Sequence, residues 1–171
     1  MTRRLPASVR PVPPDAGQES VWDYPRPPAL VPSPRRVTVR FGSVLIADST
    51  SAWRVLETSH PPNWYIPAAD VDLRRLRASA ARSTICEWKG AASYWDVIGA
   101  GGEIVEAAGW SYASPTPRFV QIAGYLAFMP GELDCEVDGQ PVQPQAGGFY
   151  GGWITPDVVG PFKGEPGTWG W

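Results

Sequence analysis

The densest group of reactive side chains in this 171-residue chain is Arg54, Glu57, Thr58, Ser59 and His60, followed by Pro61-Pro62 and Trp64-Tyr65. A carboxylate and an imidazole three positions apart can exchange a proton with a substrate, and a nearby guanidinium can hold developing negative charge. Pro61 drives His60 towards an extended backbone, which sets the ring on a stiff stretch of chain. His60 is the only histidine, and so the only side chain with an ordinary pKa near neutrality. Glu57 beside Arg54 also reads as a simple ion pair, and a lone histidine reads equally as a hydrogen-bonded structural residue. A second group is Cys86-Glu87-Trp88-Lys89-Gly90. Lys89, one of only two lysines, reads as a base or anion anchor if desolvated, or as a solvated strand lysine.

These groups sit among many aromatics, with 9 Trp, 6 Tyr and 5 Phe in the chain. Trp is large, rigid and carries one N–H donor, so the excess points to a protein that encloses something flat, or to a Trp-rich core. Trp22, Trp153, Trp169 and Trp171 fall in the terminal segments, and Trp53, Trp64, Trp88, Trp95 and Trp110 in the centre. Only the central group is placed to enclose a ligand, around Trp88 and Trp110.

Composition removes several classes of function. The net charge of −2 argues against an electrostatic nucleic-acid binder. One His and two Cys, with no C-x-x-C pair, cannot supply a four-ligand zinc site, so no metal is expected. Phosphate-loop, dinucleotide, nucleophile-elbow and zinc-protease motifs are all missing, so no cofactor is expected either. Gly42-Ser43 and Asp70-Val71-Asp72 echo a polymerase pattern but stand too far apart to share metal ions. No apolar run follows Arg3 and Arg4, and none reaches the ~20 residues of a membrane helix. The expectation is a soluble cytoplasmic protein with two free thiols, Cys86 and Cys135.

The elements that must position these residues are mainly strands. Nine of the 20 Pro lie in the first 34 residues, so residues 1–36 read as an extended arm docked by Trp22 and Tyr24. Regular structure is predicted from Val37, where Val37–Phe41, Gly42 and Val44–Ile46 form a hairpin. Ser51–Thr58 reads as a further strand, with a helical turn over Ala52–Glu57 as the alternative. Asp70–Leu76 carries the one helix signal, with Asp70 as its cap and arginines at its end. Alternating runs follow at Ser83–Trp88, Ser93–Val97, Glu103–Tyr112, Phe119–Met129 and Cys135–Val137, separated by Gly and Pro turns. Pleating puts Thr84, Cys86 and Trp88 on one face, and Ile104, Glu106, Ala108, Trp110 and Tyr112 on another, sets that suit a lined pocket. Val120, Ile122 and Leu126 read as core. Residues 37–142 make the β domain, and residues 143–171, rich in Gly and aromatics, wrap it as ordered coil.

The ordered runs Ala52–Glu57, Trp64–Val71, Thr84–Gly90, Ser93-Tyr94-Trp95 and Ala107–Tyr112 resemble the bacterial and fungal family catalogued as domain of unknown function 427. The resemblance spans roughly residues 37–130, and the Gly147–Trp171 tail is similar to that of longer actinobacterial members. It implies an all-β, antiparallel two-sheet fold of the β-tent group with one short helix. Zinc is common at the apex of that group, and with two Cys a metal-free version is implied. Ligands held in aromatic cages by β-tent domains suit Trp88, Trp110 and Tyr112. The family has also carried a nucleotidyltransferase-like label, which nothing in this sequence supports. Its motif positions point to Arg54, Glu57, Tyr65, Cys86, Trp88, Lys89, Tyr94, Trp110 and Tyr125.

The expected function is the binding of an unknown small molecule, flat or cationic, in an aromatic pocket, with polar anchors at its rim. The alternative is a metal-free isomerase, lyase or hydrolase, with Glu57 or His60 as base and Arg54 or Lys89 stabilising negative charge. A third reading is an interaction module in which arm and tail support a homodimer. Nucleic acid and membrane are not expected partners.

Overall fold

Short β-rich runs broken by Gly and Pro fold into an all-β architecture in the computed structural model, which describes residues 5–171. Arg3 and Arg4 lie outside the described residues. The N-terminal segment supplies β1 (Glu19–Ser20) and β2 (Ala29–Pro32). The centre runs through β3 (Val37–Phe41), β4 (Val44–Ser49), β5 (Trp53–Leu56), β6 (Asn63–Tyr65), β7 (Leu76–Ala78) and β8 (Thr84–Cys86). It continues with β9 (Gly90–Ile98), β10 (Ile104–Ser111), β11 (Leu126–Phe128) and β12 (Asp134–Val137). Four two-residue strands follow: β13 (Gln140–Pro141), β14 (Gln143–Pro144), β15 (Trp153–Ile154) and β16 (Val158–Val159).

Three antiparallel sheets carry the fold. One orders β11-β10-β9-β7 with β8 also on β9, the second β13-β12-β3-β4, the third β2-β5-β6. In the predicted β3–β4 hairpin, Gly42 takes the left-handed conformation (φ 56°) that the turn requires. Val37 and Val39 point to the core while Thr38 and Arg40 alternate away from it, and Cys135 and Val137 join them from β12. Ile46, Ile66, Val97, Phe128 and Leu133 complete this main core. A second cluster includes Val55, Tyr65, Tyr112, Phe119 and Ile122.

Four features depart from the sequence reading. Pairing begins before Val37, because β2 lies along β5 with Leu30 opposite Val55, and β1 runs parallel to β16. The helix expected over Asp70–Leu76 is two separate 3-10 turns, Ala68–Asp70 and Leu73–Arg75. Buried Val71 bridges to Ala47 in extended conformation and pulls the chain straight between them, so Asp72, not Asp70, caps the second turn. The strand expected from Phe119 opens instead as a 3-10 segment, Pro117–Ile122. Its period of three puts Phe119 and Ile122 on the buried side and leaves Val120 57% exposed, so Val120 is not core. The two-sheet expectation becomes three principal sheets. No helix among the described residues is long and apolar enough to cross a membrane.

The tail is tied into this frame by Trp153, which is 1% exposed in the main core. Its ring packs on Trp64 at 6.1 Å between centroids, and its Nε1–H donates to the Phe128 carbonyl at 3.0 Å. Its backbone N–H donates to the Pro62 carbonyl at 2.8 Å, and a β-carbon at the preceding Gly152 would overlap Pro61. Replacing Trp153 with Ala removes a fully buried indole and leaves a cavity, so we expect a loss of about 3–5 kcal/mol in urea unfolding. A loss below about 1 kcal/mol would show that the tail is not part of the cooperative unit.

Candidate functional site

A cavity of about 390 Å³ opens between β6, the β8–β9 hairpin, β10 and the tail. The hairpin places the first two wall residues. Cys86 pairs with Gly90, leaving Glu87-Trp88-Lys89 as a three-residue loop, and Gly90 takes the positive φ (102°) that closes it. Thr116 clamps this loop from behind, its hydroxyl on the Trp88 carbonyl at 2.6 Å and its N–H on the Lys89 carbonyl at 3.1 Å. Lys89 is thereby turned into the cavity wall and is only 6% exposed, the opposite of a solvated strand lysine.

A bulge in β10 places the next. Ala107 sits at φ 51°, held there by its N–H donating to Asp96 Oδ1 at 2.9 Å. Asp96 also pairs with Arg77 at 3.0 Å, and the Ala107 N–H is the first of the bonds that hold its carboxyl below the usual range. Beyond the bulge Trp110 enters the wall and donates Nε1–H to the Tyr65 hydroxyl at 3.2 Å. Tyr65 and Tyr112 stand 6.3 Å apart, and burial pushes both phenols well above the usual tyrosine range, so both stay protonated. Tyr94 reaches the Thr84 hydroxyl at 2.6 Å near the mouth.

The tail closes the remaining side with Phe149, Tyr150, Gly151 and Lys163. A β-carbon at Gly151 would overlap the Trp110 indole, so only glycine lets the tail approach the sheet this closely. Gln145 ties the tail to His60. Its Oε1 accepts the Gly152 N–H at 3.2 Å, and its Nε2 donates to the Lys163 carbonyl at 2.7 Å and to His60 Nδ1 at 3.1 Å. Because Nδ1 accepts that bond, the proton of the neutral ring sits on Nε2, which has no partner among the described residues. Burial, then the charges of Lys163, Arg26 and Lys89, depress the His60 pKa to about 3. His60 is therefore set as a hydrogen-bond donor at neutral pH.

Of the residues singled out in the sequence, Glu57, His60, Tyr65, Cys86, Trp88, Lys89, Tyr94, Trp110 and Tyr112 all line this one cavity. Arg54 does not. Its guanidinium pairs with Glu19 of the arm and lies over Trp64 at 5.8 Å. Tyr125 packs on the second cluster without reaching the cavity wall. Glu57 pairs with Arg26 at 3.1 Å, so the ion pair expected with Arg54 is replaced by two, each using a partner from the arm. Tyr150, Lys163, Asn63 and Gln145 were not legible as site residues. The one available signal was that Lys163 is the second of two lysines. Asn63 Oδ1 is buried in the wall with no donor.

Residues 29–139 match the family described as a domain of unknown function (DUF427). The chain belongs to this family. The match takes in β2 to β12 and with them every wall of the cavity except the tail. None of the curated proteins matches the chain. Among the described residues no group of three or more His, Cys, Asp or Glu side chains is placed to hold a metal ion.

The His60 environment fixes a pH dependence. The native ring stays neutral down to about 3, whereas in the unfolded chain it protonates near 6.5. Between those values the unfolded state binds the extra proton, so this contribution to stability is lost as pH falls through that window. From pH 7 to pH 5 the wild type should lose about 2 kcal/mol more than His60→Asn, whose Oδ1 can still accept from Gln145. Equal pH slopes for the two proteins in urea unfolding would contradict the neutral buried ring.

Proposed function

We propose that the protein binds a small, flat molecule in the cavity between its sheets and its tail. The observation that carries this reading is the composition of the wall. Trp88, Trp110, Tyr65, Tyr94, Tyr112 and Tyr150 surround one volume together with a few polar groups. A volume near 390 Å³ is at the small end of ligand pockets and suits one or two fused rings. The aromatic walls are held by hydrogen bonds and packing that exist without the ligand, from Trp110 to Tyr65 and from Thr116 to the Trp88 loop. Such preorganisation lowers the ordering cost of binding. The free thiols of Cys86 and Cys135 support action in a reducing compartment such as the cytoplasm.

The catalytic alternative has less support. Glu57 is engaged by Arg26, and the acceptor nitrogen of His60 by Gln145, so neither proposed base stands ready to take a proton. Isothermal titration with the neutral bicyclic amide 2-naphthamide tests the binding reading. We expect saturable one-to-one binding, weakened about fivefold to tenfold by Trp88→Ala through lost stacking. It should be strongly reduced by Gly151→Val, whose side chain displaces the Trp110 wall. Binding that is unchanged in both variants would place the ligand elsewhere.

A further inference from the structure

The 15 basic side chains of this protein are 13 arginines and 2 lysines, and both lysines line the same cavity. Their surroundings are unusual for cations. Lys89 is 6% exposed, yet among the described residues it has no hydrogen-bond acceptor and no carboxylate partner. Its Nζ lies over the Tyr112 ring, 5.7 Å from the centroid. Lys163 donates at 3.3 Å to the main-chain oxygen of Trp171, the final residue of the sequence, which Arg26 also reaches, and lies 5.6 Å from the Tyr150 ring. The two acids of the lining do not balance them. Glu57 is already neutralised by Arg26, which itself sits behind the wall, and Glu87 is exposed at the mouth. His60 adds a further unpartnered donor, its Nε2–H. The cavity thus carries one cation without an acceptor, Lys89, and an N–H donor, in a setting where an unmatched charge is costly.

We propose that the ligand is a small organic anion, a flat ring bearing a carboxylate, and that Lys89 binds its negative group. This rests on the reading of the cavity as the binding site for a flat molecule, and deepens it by naming the charge. Aromatic walls alone would also accept a cation, but a cation here would stand beside the ammonium of Lys89, which already lacks an acceptor. A carboxylate meets the buried ammonium of Lys89 while the ring stacks on the indoles that flank it.

Three isosteric probes on one ring system separate the possibilities in calorimetric titrations: 2-naphthoate, 2-naphthamide and 2-naphthamidine. For the wild type we expect the carboxylate to bind at least about tenfold more tightly than the amide, and the amidine more weakly than either. Lys89→Gln should abolish the preference for the carboxylate while leaving amide affinity within about twofold. Retained amide binding also shows that the variant is folded. Lys89→Arg, which keeps the charge, should keep most of the preference. Equal affinity for carboxylate and amide in the wild type overturns the proposal without needing any variant. So does a preference that survives Lys89→Gln, or tighter binding of the amidine. If none of the three probes saturates, the pocket reading itself fails, and this inference fails with it.

Discussion

Trp153 is held in three ways at once: its ring lies in the main core against Trp64, its indole N–H is on the Phe128 carbonyl, and its backbone N–H is on Pro62. Each bond crosses to a different part of the domain, so one residue fixes where a long, poorly regular segment must run. The residues just before it, Tyr150 and Gly151, are then forced against Trp110 and His60, and the Gln145 amide locks the crossing from the other side. The cavity exists because that segment is pinned a short distance from the sheet but not packed flat on it. Without the anchor the second cluster of aromatics would present an open, partly apolar face.

The same arrangement explains the electrostatics. A tail that closes over β6 and β10 removes water from His60, Lys89 and Lys163 together, and those three groups then act on one another through a poorly screened interior. His60 answers by staying neutral. Lys163 answers in part, its pKa held below the usual lysine value by burial and by Arg26, with Glu57 offsetting the effect. Arg26 is central to this balance, since it neutralises Glu57 and also donates to the Thr58 carbonyl at 2.9 Å. Through Arg26 the arm thus takes part in the charge balance beside the cavity.

Much of this was legible in the sequence where the signal was local. Alternation gave the β3–β4 hairpin, whereas the strand expected through Trp88 ends at Cys86, and Trp88 and Lys89 sit in the β8–β9 loop that Gly90 closes. The side chains gathered by motif also meet in space, because β6, β8, β9 and β10 are all strands whose pleat direction can be counted. What could not be read depends on contacts between distant segments. Val71 leaves a helical stretch because Ala47 offers it a bridge, and Val120 is exposed because a proline opens a 3-10 turn where apolar alternation reads as strand. Arg54 and Glu57 are three positions apart in the chain, yet each is claimed by a different arm residue, Glu19 and Arg26. Lys163 reaches the cavity only because of the path that Trp153 imposes, which no local pattern encodes.

The family match ends at residue 139, whereas Tyr150, Gly151 and Lys163 lie beyond it. One cavity is therefore shared between two stretches of chain with different degrees of constraint. The sheets fix the floor and its Lys89, since any change there disturbs strand pairing. The roof is irregular chain held at a few points, by Trp153 on Pro62, by Gln145 on His60 and by the Lys163 N–H on the Ser59 carbonyl. The family match covers the floor and not the roof, so members of the family are comparable at the floor alone. A ligand found for one of them transfers to another only where the roof is equivalent as well as the floor.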